Sequence, residues 1–383
     1  MIHQHEIKSG RTSTIASHLL GFDDSLNPVT TVGTKTDAAV AAKAHTLVTL
    51  VDLAGHDKYL KTTVHGMSSG MIDYALVLVN SRQPPTHMTR HHIGLAVACN
   101  IPIVIVLTKT DGCPDRVMKS TKDEIKKILH SPGIKKKPYQ IKKEFDITIV
   151  RDKLHAIAPI LPVSCVTGQG LDLLNTFVCS LPKRRRHQQK VGRAFEYLVQ
   201  DVFHLTGVGT VVSGFVNAGR VMVGHKVFIG PVNGSFIATH VKSAHIARTQ
   251  VNSVVSGNSA CLAFALSKDE RKMIRTGMVV LEHPAETSSF FEADMLILKG
   301  SGVDGTTIRK NYVTMVHILH MKQCARVENV ELLEDAKGYS TRGDGFGESA
   351  IIRPGSRAKM IFRFMMRKVS SSEYFCILSR GDR

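Results

Sequence analysis

The 383-residue chain has no tryptophan, and aromatic residues make up only 6% of it. Contact with nucleic acid would therefore run through backbone and shape, with little base stacking. No apolar run approaches the ~18–20 residues a membrane span needs. The longest, at 101–107 with Pro102 inside it, has the length of a buried strand. The seven cysteines, at 99, 113, 165, 179, 261, 324 and 376, include no CxxC pair. An odd, scattered set argues against a disulfide framework or a zinc knuckle, and for a reducing compartment. The opening residues Met1-Ile2-His3-Gln4-His5-Glu6 are polar and do not read as a secretory signal. Acidic residues are also scarce: 32 Asp and Glu face 50 Lys and Arg, a net charge of +18. That excess points to an acidic partner, nucleic acid above all.

What is present suffices for two or three domains of roughly 100–200 residues each. Apolar residues reach 43%, enough for more than one core. Segments 46–51, 74–79, 103–107 and 160–163 read as buried parallel strands, rich in aliphatic residues with few polar interruptions. Segments 89–99, 114–130 and 171–180 read as helices. Such alternation predicts an α/β sheet with helices on both faces. The pattern changes near Lys183-Arg184-Arg185-Arg186. Beyond it, short strands are separated by Gly-rich breaks such as Thr206-Gly207-Val208-Gly209 and Asn217-Ala218-Gly219. Regular turn signals of this kind predict a β-barrel or sandwich, and a second such region starts near Ser288. Domain boundaries are expected near Arg186 and His283.

Three polar clusters follow predicted strands. Asp52-Leu53-Ala54-Gly55-His56 follows 46–51. A carboxylate at the end of a parallel strand points into the crevice where such sheets bind ligands, and in nucleotide hydrolases it supports Mg²⁺. Gly55 lets a backbone N–H approach a terminal phosphate, and His56 is placed to orient water. Thr108-Lys109-Thr110-Asp111 follows 103–107. Its Asp can accept two hydrogen bonds from a guanine edge while the Lys stem covers the ring. Ser164-Cys165-Val166 follows the fourth strand, and its backbone can reach a guanine carbonyl. Each cluster alone also reads as a polar turn; their order together is far more specific.

Those clusters resemble the third, fourth and fifth guanine-nucleotide motifs of translational GTPases. The chain is similar to the GTP-binding protein 1 and 2 family, relatives of elongation factors Tu and 1α. His3-x-His5-Glu6-Ile7-x-Ser9-Gly10-Arg11-Thr12-Ser13 resembles that family's switch I, and 207–214 resembles the barrel signature. The resemblance implies a P-loop-NTPase-like G domain at 1–186, an elongation-factor-like β-barrel at 187–283 and a second barrel at 284–383. It implies GTP or GDP with Mg²⁺ as ligands. Thr12 and Asp52 would serve the metal, and Thr12 and Gly55 would sense the γ-phosphate. His56 would orient water. Thr108, Lys109 and Asp111 would hold guanine, with Ser164 and Cys165 helping through the main chain. Thr108 stands where the wider superfamily commonly has Asn. The implied partners are the ribosome and tRNA or another RNA. The expected protein is cytoplasmic and monomeric, with no membrane association.

One departure matters. Gly-x4-Gly-Lys-Ser/Thr occurs nowhere in the 383 residues. That loop cradles the phosphates and supplies a Lys and a Mg²⁺ hydroxyl. Its absence, with that of the first strand and first helix, leads to the expectation of an amino-terminally truncated chain with weakened GTP binding. The missing strand should leave 46–51 and 74–79 with unpaired edges unless they pair directly. The competing expectation is a non-catalytic RNA- or ribosome-binding module. His3, His5 and Glu6, and His87 with His91, are weak metal candidates that lack a further evident ligand. The lysine clusters at 119–127, 135–137 and 142–143 and the run 183–186 are candidates for phosphate contact.

Overall fold

The computed structural model describes residues 4–9, 12–29, 36–131, 133–182, 185–296, 308–334, 357–370 and 376–380. The chain divides into two compact units: Met1–Met67 with Ile72–Arg184, and Ser68–Met71 with Arg185–Arg383.

The first unit opens with α1 (Gln4–Ser9), β1 (Ala16–Phe22), α2 (Asp37–Lys43) and β2 (Thr46–Asp52). It continues with α3 (Leu60–Ser68), β3 (Ala75–Asn80), α4 (His87–Ala98), β4 (Ile103–Thr108), α5 (Asp115–His130), β5 (Lys137–Gln140), α6 (Glu144–Val150), β6 (Ile157–Pro162) and α7 (Leu171–Ser180). Strands β3, β4, β6 and β5 form a parallel sheet in that order. Its centre is β4, where residues 103–107 are at most 3% exposed. Such unbroken aliphatic runs are what a strand covered on both faces requires. Helix α5 buries Thr121, Ile125, Ile128 and Leu129 at helical spacing. On its exposed part, Lys126 pairs with Asp123 at 2.9 Å and Lys127 with Glu124 at 2.7 Å. The neighbouring Lys122 donates to Gln140 at 3.2 Å. Part of the expected basic cluster is thus internally compensated.

Two expectations for this unit need correction. Residues 46–51 are not a buried parallel strand: β2 pairs antiparallel with β1, in register from Ala16↔Asp52 to Phe22↔Thr46. Thr46 and Thr49 thin its apolar pattern, and Leu47 and Leu50 remain 43% and 38% exposed. These two leucines point to opposite faces of the strand, and no residue of β2 is fully buried. His5 and Glu6 lie in the helix α1, while His3 lies outside the described residues. The direct pairing of 46–51 with 74–79 does not form. Among the described residues β2 pairs only with β1, and β3 only with β4. Leu78, in β3, is 67% exposed.

The second unit begins with α8 (Arg185–Lys190); Lys183 and Arg184 of the basic run lie outside the described residues. Its strands are β7 (Glu196–Leu205), β8 (Gly209–Ala218), β9 (Arg220–Met222), β10 (Lys226–Val232), β11 (Ser235–Ile246), β12 (Thr249–Val251), β13 (Ser253–Val255), β14 (Ser259–Phe264) and β15 (Val279–Leu281). The order β10-β15-β7-β8-β14-β11, with β10 also pairing β11, closes a six-stranded barrel, and β12 extends β11. Tyr197 fills its core, fully buried, with the hydroxyl 2.8 Å from Ala260 O and 3.2 Å from Val212 O. The glycines of 207–214 have distinct tasks. Gly207 and Gly209 take φ of +82° and +109° in the β7–β8 turn. A Cβ on Gly214 would lie 1.9 Å from Leu198 O, so this crossing of strands admits no side chain.

The rest comprises β16 (Thr287–Ser288), β17 (Phe290–Leu296), β18 (Val313–Ile318), β19 (Met321–Glu334), β20 (Arg357–Phe364), β21 (Val369–Ser370) and β22 (Cys376–Arg380). Five of these form an antiparallel sheet ordered β17-β20-β19-β18-β22. Among the described residues no pairing joins β17 to β22.

Candidate functional site

Because β3, β4 and β6 are parallel, the segments leaving their C-terminal ends share one edge of the sheet. Thr108 ends β4, its Oγ1 3.4 Å from Val79 O. Lys109 follows with φ of +58°, a left-handed conformation that costs a non-glycine residue on the order of 1–3 kcal/mol. Neighbours hold that turn. The fully buried Ser81, just past β3, donates its hydroxyl to Lys109 O at 3.0 Å. Thr110 N–H donates to Val163 O at 3.4 Å.

Asp111 is where the three segments meet. Its Oδ1 accepts from Ser164 Oγ at 2.5 Å. Its Oδ2 accepts from Arg82 Nη2 at 2.9 Å, and the same Nη2 reaches the Asp111 main-chain carbonyl. Ser164 is fully buried just after β6 and accepts from the N–H groups of Val166 and Thr167, each at 3.2 Å. The Ser164 hydroxyl, followed by the charges of Arg82 and Lys109, holds the Asp111 carboxyl below the usual carboxylate range. The result is an ionised, positioned acceptor able to take paired N–H donors from a planar base edge. Lys109, two residues before Asp111, and Cys165, next to Ser164, are both exposed.

A second group lies around the end of β2. Thr12 Oγ1 donates to Asp52 Oδ2 at 3.1 Å, joining residues 40 apart in the chain. Glu6, only 1% exposed, holds the segment after Thr12: its Oε1 accepts from Ser13 N and Oγ at 2.7 Å, and from Thr14 N and Oγ1 at 3.3 Å. Ala54 is buried, and its carbonyl accepts from Thr63 Oγ1 on α3. Gly55 is exposed, and a Cβ there would meet nothing within 4 Å, so protein packing does not demand a glycine. His56 Nδ1 accepts from Lys58 N–H at 3.2 Å. In the neutral ring the proton is therefore on Nε2, which can donate to water or an anion but cannot take a proton. The Thr12 hydroxyl and Asp52 carboxylate are hard oxygen donors at one place. That is the donor type Mg²⁺ uses when substrate phosphates and water complete its shell, so these residues fit such an ion.

The structure thus joins Thr12 to Asp52, and Asp111 to Ser164. It also shows two contributors that motif spacing missed, Ser81 and Arg82, and gives Glu6, named from the sequence only within the switch I resemblance and as a weak metal candidate, the task of holding Ser13 and Thr14. A signal for Ser81 and Arg82 existed, since Asn80-Ser81-Arg82 is itself a polar cluster directly after a buried strand. His87 and His91 do lie on one face of α4, with ring centroids 5.9 Å apart. Among the described residues no group of three or more His, Cys, Asp or Glu could hold a metal.

Residues 2–183 match the family model of the elongation factor Tu GTP binding domain. Over 335 residues the chain is 36% identical to GTP-binding protein 1 of Xenopus laevis, covering 85% of this chain and 50% of that protein. The chain belongs to the translational GTPase family. It is also 31% identical over 360 residues to GTP-binding protein 2 of Homo sapiens, covering 92% of this chain and 58% of that one. The chain therefore spans about half the length of these curated relatives. Among solved structures, its fold is similar to translation elongation factor SelB from Methanococcus maripaludis in complex with the GTP analogue GppNHp. The TM-score is 0.66 at 20% identity, over 96% of this chain and 70% of that one. A bacterial selenocysteine-specific elongation factor gives 0.63 at 18% identity, over 97% and 50%. An elongation-factor-type G domain followed by β-rich domains, one of them a six-stranded barrel, is the architecture of this chain.

Proposed function

We propose that the chain recognises guanine nucleotides through the Asp111 turn and, as part of a translational GTPase, couples GTP hydrolysis on the ribosome to handling of aminoacyl-tRNA or another RNA. One observation carries this reading: the Asp111 carboxylate stands at the C-terminal edge of the parallel sheet, fixed through Oδ1 by the buried Ser164 hydroxyl. That leaves Oδ2 as the oxygen for a base edge, with Lys109 and Cys165 alongside. Thr12 and Gly55 respond to the terminal phosphate, and its loss frees the segments around them. His56 orients the attacking water as a hydrogen-bond donor. Mg²⁺ held by Asp52 and Thr12 would neutralise phosphate charge.

The functional division we infer is a G domain at 1–186, a barrel domain at 187–283 and a second, C-terminal β-barrel domain at 284–383. The net charge of +18 supports contact with RNA phosphates. Among the described residues no helix is long and apolar enough to cross a membrane. With seven cysteines in no disulfide-like spacing, we place the protein in the cytoplasm.

The net charge of +18 favours a second reading, an RNA- or ribosome-binding module that does not hydrolyse GTP. Single-turnover hydrolysis of GTP with and without ribosomes separates the two. The GTPase reading expects ribosome-dependent turnover that His56→Ala slows on the order of 10²-fold with GTP affinity unchanged. No turnover, together with salt-sensitive RNA binding indifferent to GTP, establishes the second reading instead.

A further inference from the structure

The Asp111 carboxylate, the proposed partner of guanine, already has a partner on its free side. Ser164 holds Oδ1, and Arg82 Nη2 holds Oδ2 at 2.9 Å while also reaching the Asp111 main-chain carbonyl. A guanidinium and the N1–H, C2-amino edge of guanine are chemically alike: each presents adjacent, coplanar N–H donors on one trigonal carbon. Two such groups cannot both lie against Oδ2 and the Asp111 backbone.

Arg82 is tethered for this contact. Its own N–H donates to Asn80 Oδ1 at 3.0 Å, and the preceding Ser81 is fully buried and bonded to Lys109 O. The anchor point of Arg82 is therefore fixed to the same turn that carries Asp111. A Cβ added to Gly112 would lie 3.7 Å from Nη2, so the guanidinium also runs beside the residue that follows Asp111. Outward freedom remains: the Arg82 side chain is 47% exposed and that of Asp111 20%. The acceptor is held in place, whereas the cation can swing into water.

We propose that Arg82 is an internal competitor of guanine, a specificity-determining residue whose guanidinium occupies Asp111 Oδ2 without nucleotide and is displaced when the base docks. This rests on the guanine reading of Asp111. Each guanine nucleotide must displace the contact, so its apparent affinity is lowered by the fraction of chains in which Arg82 is engaged. Adenine does not use Asp111 in this way, so the contact lowers the preference for guanine over adenine.

Titrations of GDP and ADP into the full chain, followed by calorimetry, test this in wild type, Arg82→Ala, Arg82→Lys and Asp111→Asn. The ratio of GDP to ADP affinity is the readout, because loss of the Arg82 charge acts on the phosphates of both nucleotides alike. Arg82→Ala should raise that ratio about 1.5–5-fold, the range a half-exposed ion pair sustains. Arg82→Lys keeps the charge without the planar fork and should fall between. An unchanged or lower ratio in Arg82→Ala, while Asp111→Asn abolishes the preference, overturns the competitor role and leaves the guanine reading intact. A wild-type ratio near one, unaltered in Asp111→Asn, removes the guanine reading and this proposal with it. Native circular dichroism of both Arg82 variants shows that each comparison is between folded chains.

Discussion

Ser164→Ala tests how the base-recognition turn is held. The substitution removes one buried oxygen that serves three partners: Asp111 Oδ1 at 2.5 Å, and the N–H groups of Val166 and Thr167 at 3.2 Å each. A neutral hydrogen bond contributes a net 0.5–1.5 kcal/mol, so the two amides together give roughly 1–2 kcal/mol, since Val166 is 83% exposed and water replaces part of the loss. That corresponds to local opening about 5–30-fold more frequent, read as faster deuterium uptake in the peptide spanning 160–170. The Asp111 bond adds a pH-dependent part. Its carboxyl is held low chiefly by Ser164, so that stabilisation is complete above the unfolded value near ~4 and is lost as pH falls through the lower folded value. The difference in thermal midpoint between wild type and Ser164→Ala should therefore be largest near neutrality and shrink in acid. Far-UV circular dichroism is the natural probe, as the chain has no tryptophan. Unchanged deuterium uptake at 160–170, or a midpoint difference that grows in acid, refutes this account of the turn.

Other predictions concern separate parts of the first unit. Gly55→Ala should cost less than about 0.5 kcal/mol, because its Cβ meets nothing within 4 Å, yet it should weaken GTP more than GDP; equal weakening counts against a γ-phosphate role. Burial, with the neighbouring charge of His91 behind it, holds His92 below 6.5. A base depressed in the folded state contributes full stability above its unfolded value of about 6.5 and loses it as pH falls below. The thermal midpoint should drop between pH 7.5 and 5.5, and His92→Asn should flatten that drop; an unaltered slope contradicts the assignment. Burial pushes the Cys99 thiol up to about 12, whereas Cys165 is exposed. Iodoacetamide at pH 8 should label Cys165 well before Cys99, and GDP should slow the labelling of Cys165; equal rates at the two thiols would defeat this.

Much of the first unit was legible because buried parallel strands leave aliphatic runs with polar residues at one end. The run 103–107, the cluster Thr108 to Asp111 behind it and the helix at 171–180 all follow from that rule. Strand β2 was misjudged because an aliphatic run does not announce the direction of its partner; only the pairing with β1 reveals it. Glu6 was named but given another role, because bonds from a carboxylate to hydroxyls seven and eight residues away have no spacing signature. Arg82 was overlooked although it stands at a strand end like the named motifs, since nothing in its type marks it as a partner of a residue 29 positions away. In the barrel, the Gly-rich punctuation at 207–214 identified the β7–β8 turn, but the need for glycine at Gly214 comes from the Leu198 carbonyl on a paired strand.

Guanine recognition by Asp111 is the central claim, and exchanging donor for acceptor on both sides of the contact tests it most directly. Xanthine carries a C2 carbonyl where guanine carries an amino group, and Asp111→Asn supplies an N–H to meet it. Affinities of GDP and xanthosine diphosphate should be measured for wild type and Asp111→Asn. The account predicts that wild type prefers GDP and the variant prefers xanthosine diphosphate, each on the order of 10-fold or more. The same order of preference in both proteins would contradict it.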